Sequence, residues 1–390
     1  MNKIEQLIAK LCPNGVEFKN LGEVCEILDS QRIPIAKDKR KKGVYPYYGA
    51  NGIQDYVDDY IFEGNFVLLG EDGSVIKKDN TPVVNWASGK IWVNNHAHVL
   101  QTKDGVILRY FYYCIQTVDV SPFVAGTPPK INQANLKQIK IPVPPLDIQE
   151  EIVKILDNFS ELTAELTAEL TARKKQYEYY RNTLLDFGDE SKPKNGVKFK
   201  RLGEIGKACM CRRILKSQTQ DIGEIPFYKI GSFGSKPNSF ISRELFEEYK
   251  SKYPYPKKGD VLISASGTIG KRVIFDGKDA YYQDSNIVWI DNDETQVLNK
   301  FLFYLYSKIT WNSTSGGTIT RLYNKDLVEM IIPIPPLETQ QRIVDILDRF
   351  EALTSDYQEG LPAEIEARTK QYEYYRDKLL DFKELESENV

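Results

Sequence analysis

The chain has 390 residues, a formal net charge of −3, 41% apolar residues and five cysteines. That length accommodates two or three domains with real cores. No run approaches the ~18 apolar residues of a membrane helix, Met1-Asn2-Lys3-Ile4-Glu5-Gln6 lacks a signal-peptide core, and an odd cysteine count without zinc spacing points to a reducing, cytoplasmic compartment.

Residues 1–14 read as a short amphipathic helix with Ile4, Leu7, Ile8 and Leu11 on one face. Residues 15–146 form a first mixed α/β domain with short strands at Phe66-Val67-Leu68-Leu69 and His98-Val99-Leu100, and a helix over Val106 to Ile115. Pro142, Pro144 and Pro145 should end it. Residues 147–187 read as a long helix and 188–195 as a flexible linker. Residues 196–337 form a second mixed domain, with strands at Val261-Leu262-Ile263-Ser264 and Asn286-Ile287-Val288-Trp289-Ile290. Residues 338–384 give a second long helix, kinked near Gly360 and Pro362, and 385–390 a frayed tail.

The two halves share a frame. Ile141-Pro142-Val143-Pro144-Pro145-Leu146 returns as Ile332-Pro333-Ile334-Pro335-Pro336-Leu337, and Lys175-Gln176-Tyr177-Glu178-Tyr179-Tyr180-Arg181 as Lys370-Gln371-Tyr372-Glu373-Tyr374-Tyr375-Arg376. Gly15-Val16-Glu17-Phe18 to Glu23 is echoed by Gly196-Val197-Lys198-Phe199 to Glu204. Between the echoes the halves differ, so one chain carries two similar frames around unlike inserts. A repeat this long favours two related domains over a solenoid.

The first long helix places stem-packing residues at 148, 152, 155, 159, 162, 166, 170, 173, 177, 180 and 184, a heptad seam with one extra four-residue step. That stutter coincides with Thr163-Ala164-Glu165-Leu166 and Thr167-Ala168-Glu169-Leu170. The second helix has a matching seam. Each seam needs a partner, and antiparallel pairing of the two helices satisfies both; homo-oligomerisation is the alternative. The fold class is therefore α+β: two mixed α/β domains separated by a pair of long antiparallel coiled-coil helices, with internal pseudo-twofold (circular repeat) symmetry.

Charge is distributed unevenly. Gln31 to Gly43 holds six basic residues against Asp38, and Lys207 to Lys216 holds four against none, while Asp147 to Ala172 holds seven acids against Lys154. A basic patch is an electrostatic footprint for phosphates, and the acidic helix suits protein contacts better than DNA. The candidate DNA-binding residues in the first domain are Arg32, Lys37, Lys39, Arg40, Lys41, Lys42, Asn94, Asn95 and Lys130. In the second they are Arg212, Arg213, Lys216, Lys229, Ser266, Lys271, Arg272 and Arg321. A solvated loop without ligand is the plain alternative for each. Tyr45, Tyr47 and Tyr48 read as core or rim packing.

Enzyme signatures are incomplete. Ala265-Ser266-Gly267-Thr268-Ile269-Gly270-Lys271-Arg272 nearly spells a phosphate-binding loop, but Ala265 and Arg272 replace its first glycine and its Mg²⁺-binding hydroxyl. His96 and His98 share one face of a strand without a nearby Cys or acid, and Cys209-Met210-Cys211 is too isolated for zinc. No catalytic, metal or cofactor set is expected in this chain.

The duplicated proline segments with Gln149, Ile152, Leu156-Asp157 and Gln340, Ile343, Leu347-Asp348, the twin Gln-Tyr-Glu-Tyr-Tyr-Arg runs, and Gly126-Thr127…Lys130-Ile131 with Gly317-Thr318…Arg321-Leu322 resemble the specificity subunit of type I restriction-modification systems over essentially the whole chain. The Thr-Ala-Glu-Leu units resemble the subgroup whose spacer helix carries that repeat. The resemblance implies a non-catalytic subunit whose two inserts are target recognition domains, each reading one half of a split, asymmetric target in double-stranded DNA. It also implies helices that set the spacing and dock two methyltransferase (modification) subunits, joined by endonuclease/translocase (restriction) subunits. S-adenosylmethionine, ATP and Mg²⁺ would belong to those partners. A two-headed protein-binding scaffold is the alternative, and a self-sufficient DNA-modifying enzyme the third reading.

Overall fold

The computed structural model describes residues 3–309, 311, 321–355 and 360–385. It divides into two units: Met1–Thr167 with Glu364–Val390, and Ala168–Ala363. The first boundary falls inside the Thr-Ala-Glu-Leu repeat, within a continuous 39-residue helix, Leu146–Leu184.

In the first unit the amphipathic helix Lys3–Leu11 buries Ile4. A six-stranded sheet runs in the order Cys25–Ile27, Ala97–Thr102, Phe62–Gly70, Val84–Val93, Lys42–Gly49, Gly52–Val57. Only the pairing of Lys42–Gly49 with Val84–Val93 is parallel. The central strand alternates: Val67 and Leu69 face one core with Tyr110, Phe111, Ile148 and Ile152, while Phe66 and Leu68 face a second with Ile91, Val93 and Val99. This two-sided burial explains the unbroken apolar run. The helix Leu108–Ile115 covers the first core.

The second unit uses different sheets. Gly206–Cys209, Ile287–Asn292, Val261–Ser264 and Arg272–Ile274 form a four-stranded antiparallel sheet in that order, and Phe240–Ile241, Ile225–Tyr228 and Tyr281–Tyr282 form a three-stranded sheet whose second pairing is parallel. An added helix, Arg243–Lys252, starts at Ser242, whose hydroxyl accepts the Leu245 N–H, and buries Phe246.

The frame is the same in both. Glu17–Asn20 pairs antiparallel with Lys140–Val143, and Lys198–Arg201 with Ile331–Ile334, in equivalent register: Phe18 opposite Pro142, Phe199 opposite Pro333. The first proline of each echo therefore sits inside a strand instead of ending the domain, which a two-stranded ladder with free edges tolerates.

Each unit anchors its long-helix segment with one buried glutamine. Gln149 Oε1 accepts the Ile107 N–H at 2.9 Å, and its Nε2 donates to Gly105 and Pro144 carbonyls at 2.9 and 2.8 Å. Gln340 repeats this with Leu298 N–H, Gln296 and Pro335 at 2.8, 2.9 and 2.7 Å. Both glutamines are fully buried. A tyrosine adds a second tie: Tyr113 donates to Asp157, and the single Tyr304 hydroxyl proton is shared between the neighbouring carboxylates of Asp348 and Glu351 as alternative acceptors.

Helix pairing is seen within each unit. Phe159 stacks on Tyr375 of the helix Leu361–Leu380 at 5.3 Å, and Tyr180 stacks on Phe350 of the helix Leu337–Ser355 at 5.4 Å. In the first unit the early part of Leu146–Leu184 meets the later helix, and in the second unit its late part meets the earlier one. Phe159, Leu162, Leu166, Leu170, Arg173 and Tyr177 are half-buried while Glu161, Glu165, Glu169 and Thr171 are exposed, so the seam faces inward.

Where one helix over 338–384 is expected, the described residues form two, with Pro362 in the first turn of the later one, where a missing N–H costs nothing. Residues 188–195, expected as a linker, contain a small hairpin, Gly188–Asp189 with Lys192–Pro193, whose turn N–H groups donate to Asp189 Oδ1. Residues 386–390 of the expected tail lie outside the described residues. No described helix is long and apolar enough to cross a membrane.

Candidate nucleic-acid interface

Lys37 and Lys39 stand on a 3₁₀ turn and Lys41 and Lys42 follow it; all four are exposed. Arg40 is turned inward. Its Nε donates to the Ile35 carbonyl at 3.1 Å, its guanidinium lies 4.2 Å over the Tyr47 ring, and Asp55 sits at 3.5 Å. The Tyr47 ring is itself buried, so it packs beneath the patch instead of facing a groove.

Arg32 is buried more deeply, with 11% of its side chain exposed. It donates to Glu71 Oε2 at 2.6 Å and to the Ala97 carbonyl at 2.7 Å. His98, completely buried, joins the same cluster. Its Nδ1 meets Asp29 Oδ2 at 2.6 Å and its Nε2 the Ile131 carbonyl at 2.8 Å. Acids do lie beside this histidine, contrary to the sequence expectation, because Asp29 and Glu71 arrive from 69 and 27 residues away along the chain. His96 falls in the turn before the strand Ala97–Thr102, so the two histidines do not share a strand face.

Asp29, Glu71 and His98 each offer a ligand atom within 4.8 Å of the others. The same carboxylates bond Arg32 and Lys130, the latter at 3.1 Å from Glu71. Two cations thus occupy the coordination a metal would need, and the donor set fits a structural ion network. Burial acts to raise the Asp29 carboxyl, but the hydrogen bond and charge of His98, then Arg32 and the Val99 N–H, hold it below the ordinary carboxylate range.

Asn94 is buried; its side-chain carbonyl accepts the His96 N–H and its amide donates to Gln54. Asn95 is exposed at the tip of the same turn, as is Lys130 on its own loop.

In the second unit Arg212, Arg213 and Lys216 are exposed, and Arg212 lies 5.2 Å over the Tyr253 ring. Lys229 is half-buried above Phe227. The glycine-rich turn that follows Val261–Ser264 leads into the strand Arg272–Ile274, not a helix. Its hydrogen bonds close on itself, Ser264 Oγ donating to the Thr268 carbonyl at 2.6 Å and accepting the Lys271 N–H at 2.9 Å. A strand–turn–strand lacks the helix N-terminus that receives phosphates in a nucleotide loop. Lys271 is exposed, whereas Arg272 is drawn under Phe303 at 4.7 Å. Arg321 donates to the Ser285 carbonyl at 3.0 Å, and Ser266 is buried with its hydroxyl on Asn286 at 2.8 Å. The Gly317-Thr318 pair lies outside the described residues. All five cysteines are buried free thiols, and burial pushes Cys25, Cys114 and Cys211 up to about 12.

The candidates therefore divide. Lys37, Lys39, Lys41, Lys42, Asn95, Lys130, Arg212, Arg213, Lys216 and Lys271 present polar groups to solvent; Arg32, Arg40, Asn94, Lys229, Ser266, Arg272 and Arg321 are held by internal partners or partly covered. The exposed groups suit phosphate contacts, which need charge and little geometry.

The profile of the type I restriction modification DNA specificity domain matches residues 13–173 and again 194–367. The chain is 54% identical over 376 residues to a putative type I restriction enzyme specificity subunit of Haemophilus influenzae, covering 94% of this chain and 96% of that one. It is 31% identical over 393 residues to the EcoR124I/EcoR124II specificity subunit of Escherichia coli, covering 94% of each. The fold resembles the crystal structure of a type I restriction-modification S subunit from M. genitalium, with a TM-score of 0.62 at 16% identity over 94% of this chain and 96% of that one. The chain belongs to the specificity subunits of type I restriction-modification systems and carries their DNA specificity domain twice.

Proposed function

We propose that this subunit reads a split, asymmetric sequence in double-stranded DNA, one part with each unit, and assembles in the cytoplasm with two methyltransferase subunits and with endonuclease/translocase subunits. Specificity subunits are the non-catalytic recognition components of their systems, so S-adenosylmethionine, ATP and Mg²⁺ are assigned to those partners. The observation that carries the reading is the double plan: one frame, with equivalent ladders and equivalent glutamine anchors, supports two unlike sheets bearing different exposed basic groups. Identical heads would suit a palindromic target; unlike heads suit an asymmetric one.

We further place the chain in the subgroup with Thr-Ala-Glu-Leu spacer repeats. Residues 163–170 carry two units in an unbroken helix, and each unit spans ~6 Å of helix axis. The seven acids of 147–172 support protein docking at this helix, since carboxylates repel phosphate.

Genome-wide mapping of methylated bases by the reconstituted complex tests the reading. The expected result is a single bipartite motif with a fixed unspecified gap. A continuous motif, or methylation without sequence preference, overturns it.

A further inference from the structure

Although their sheets differ, both units build one small frame at the end of a central strand. In the first, the Glu71 N–H donates to the His96 carbonyl at 2.8 Å and the Ile131 N–H to the Glu71 carbonyl at 2.9 Å. In the second, the Ala265 N–H donates to Asn286 at 2.7 Å and the Leu322 N–H to Ala265 at 2.8 Å. An isolated antiparallel bridge follows in each, Asp72 with Lys130 and Ser266 with Arg321. The backbone thus brings three positions together twice: Asp72, His96 and Lys130 in the first unit, Ser266, Asn286 and Arg321 in the second.

All six residues are polar and none is shared between the units. Asp72 Oδ1 bonds His96 Nδ1, with His96 and Lys130 about half exposed. Ser266 donates to Asn286 Oδ1, which also accepts from Arg321 at 3.4 Å. These bonds orient the groups without using all of them. Asp72 Oδ2, His96 Nε2 and Asn286 Nδ2 make no hydrogen bond among the described residues. Oriented side chains with spare donors and acceptors are what base-edge readout requires, whereas a phosphate grip needs only charge.

We propose that these two triads are the base-reading positions of the two units, a proposal that rests on the DNA-recognition reading above. Lys130, paired with Glu71 at 3.1 Å, and Arg321, which donates to Ser285 and Asn286, each keep further N–H groups that suit the O6 and N7 acceptors of guanine. Asn286 suits adenine, and the Asp72 carboxylate suits an exocyclic amino group. The unlike triads would give the two halves of the target different bases.

The test exchanges the triads in the full complex. Asp72→Ser, His96→Asn and Lys130→Arg are combined in one variant, and Ser266→Asp, Asn286→His and Arg321→Lys in a second, each checked for assembly by size-exclusion chromatography. Methylated sites are then mapped. For each variant, methylation of the original motif should fall about tenfold or more, as for one mismatched base pair, with altered bases in one half-site and the other half unchanged. Unchanged motifs in either assembled variant overturn the proposal. So does an equal loss on every sequence, the signature of phosphate contacts. Failure of one variant to assemble leaves the decision to the other, and failure of both shows the triads to be structural and overturns it. If the unaltered complex yields no bipartite motif, it is the underlying functional reading that fails.

Discussion

Replacing Gln149 with alanine should uncouple the first unit from its helix segment. The side chain is fully buried and satisfies three backbone groups: the Ile107 N–H and the carbonyls of Gly105 and Pro144. Each buried group left without a partner costs about 1–3 kcal/mol. Taking the low end for each gives a loss of about 3 kcal/mol, before any cavity cost. For a unit of this size that lowers the transition temperature by roughly 6–12 °C. Because a chain with two units need not unfold in one step, hydrogen exchange resolved by segment is the right assay. Protection should fall at 105–107 and 144–149 and stay unchanged at 296–298. Gln340→Ala should reverse that pattern, since Gln340 serves Leu298, Gln296 and Pro335. Gln149→Glu keeps the acceptor for Ile107 and loses both donors, so it should remain clearly destabilised. Full protection in Gln149→Ala would refute the reasoning.

Two further outcomes follow from the charges. The folded Asp29 carboxyl lies below its ordinary value, which is near 3.8. Its stabilisation is therefore complete above about pH 4 and disappears as pH falls through the lower folded value. Unfolding measured against pH should show a steeper acid limb in the wild type than in Asp29→Asn; superimposable limbs would count against the network. Replacing Lys37, Lys39, Lys41 and Lys42 by glutamine should weaken binding to all sequences. The slope of log affinity against log salt should flatten by up to ~0.9 for each phosphate that is no longer neutralised, and an unaltered slope would remove the patch from the interface.

Much of the fold is legible in the sequence because its frame is written twice. The echoes mark a frame that folds twice, although Pro142, expected to help end the first domain, lies inside a paired strand, and the heptad seam marks the residues that helix pairing covers. A further echo, Leu184-Leu185-Asp186-Phe187 and Leu379-Leu380-Asp381-Phe382, carries the circular arrangement. Leu185 and Phe187 enter the core of the second unit, and Leu379 and Leu380 that of the first. Nothing local reveals the anchoring role of Gln149 and Gln340, because their N–H donors lie 42 residues upstream in sequence that differs between the halves.

The candidate interface is less legible for the same physical reason. A run of lysines and arginines reads as one patch, yet Arg32 belongs to the interior because Glu71, 39 residues on, and the Ala97 carbonyl, 65 residues on, meet its guanidinium. Asp72 and Asn286 carry no motif at all. They become candidates only when two non-local frames are compared in three dimensions.

If two unlike heads read DNA at a spacing set by the helix bearing the Thr-Ala-Glu-Leu units, the length of that helix controls the gap between the half-sites. Inserting one such unit after Leu170 lengthens that helix by ~6 Å, more than one ~3.4 Å base-pair step. Methylation mapping of the assembled complex should return both half-sites unchanged with a longer gap between them. An unchanged gap, or a new sequence in either half-site, would contradict the account.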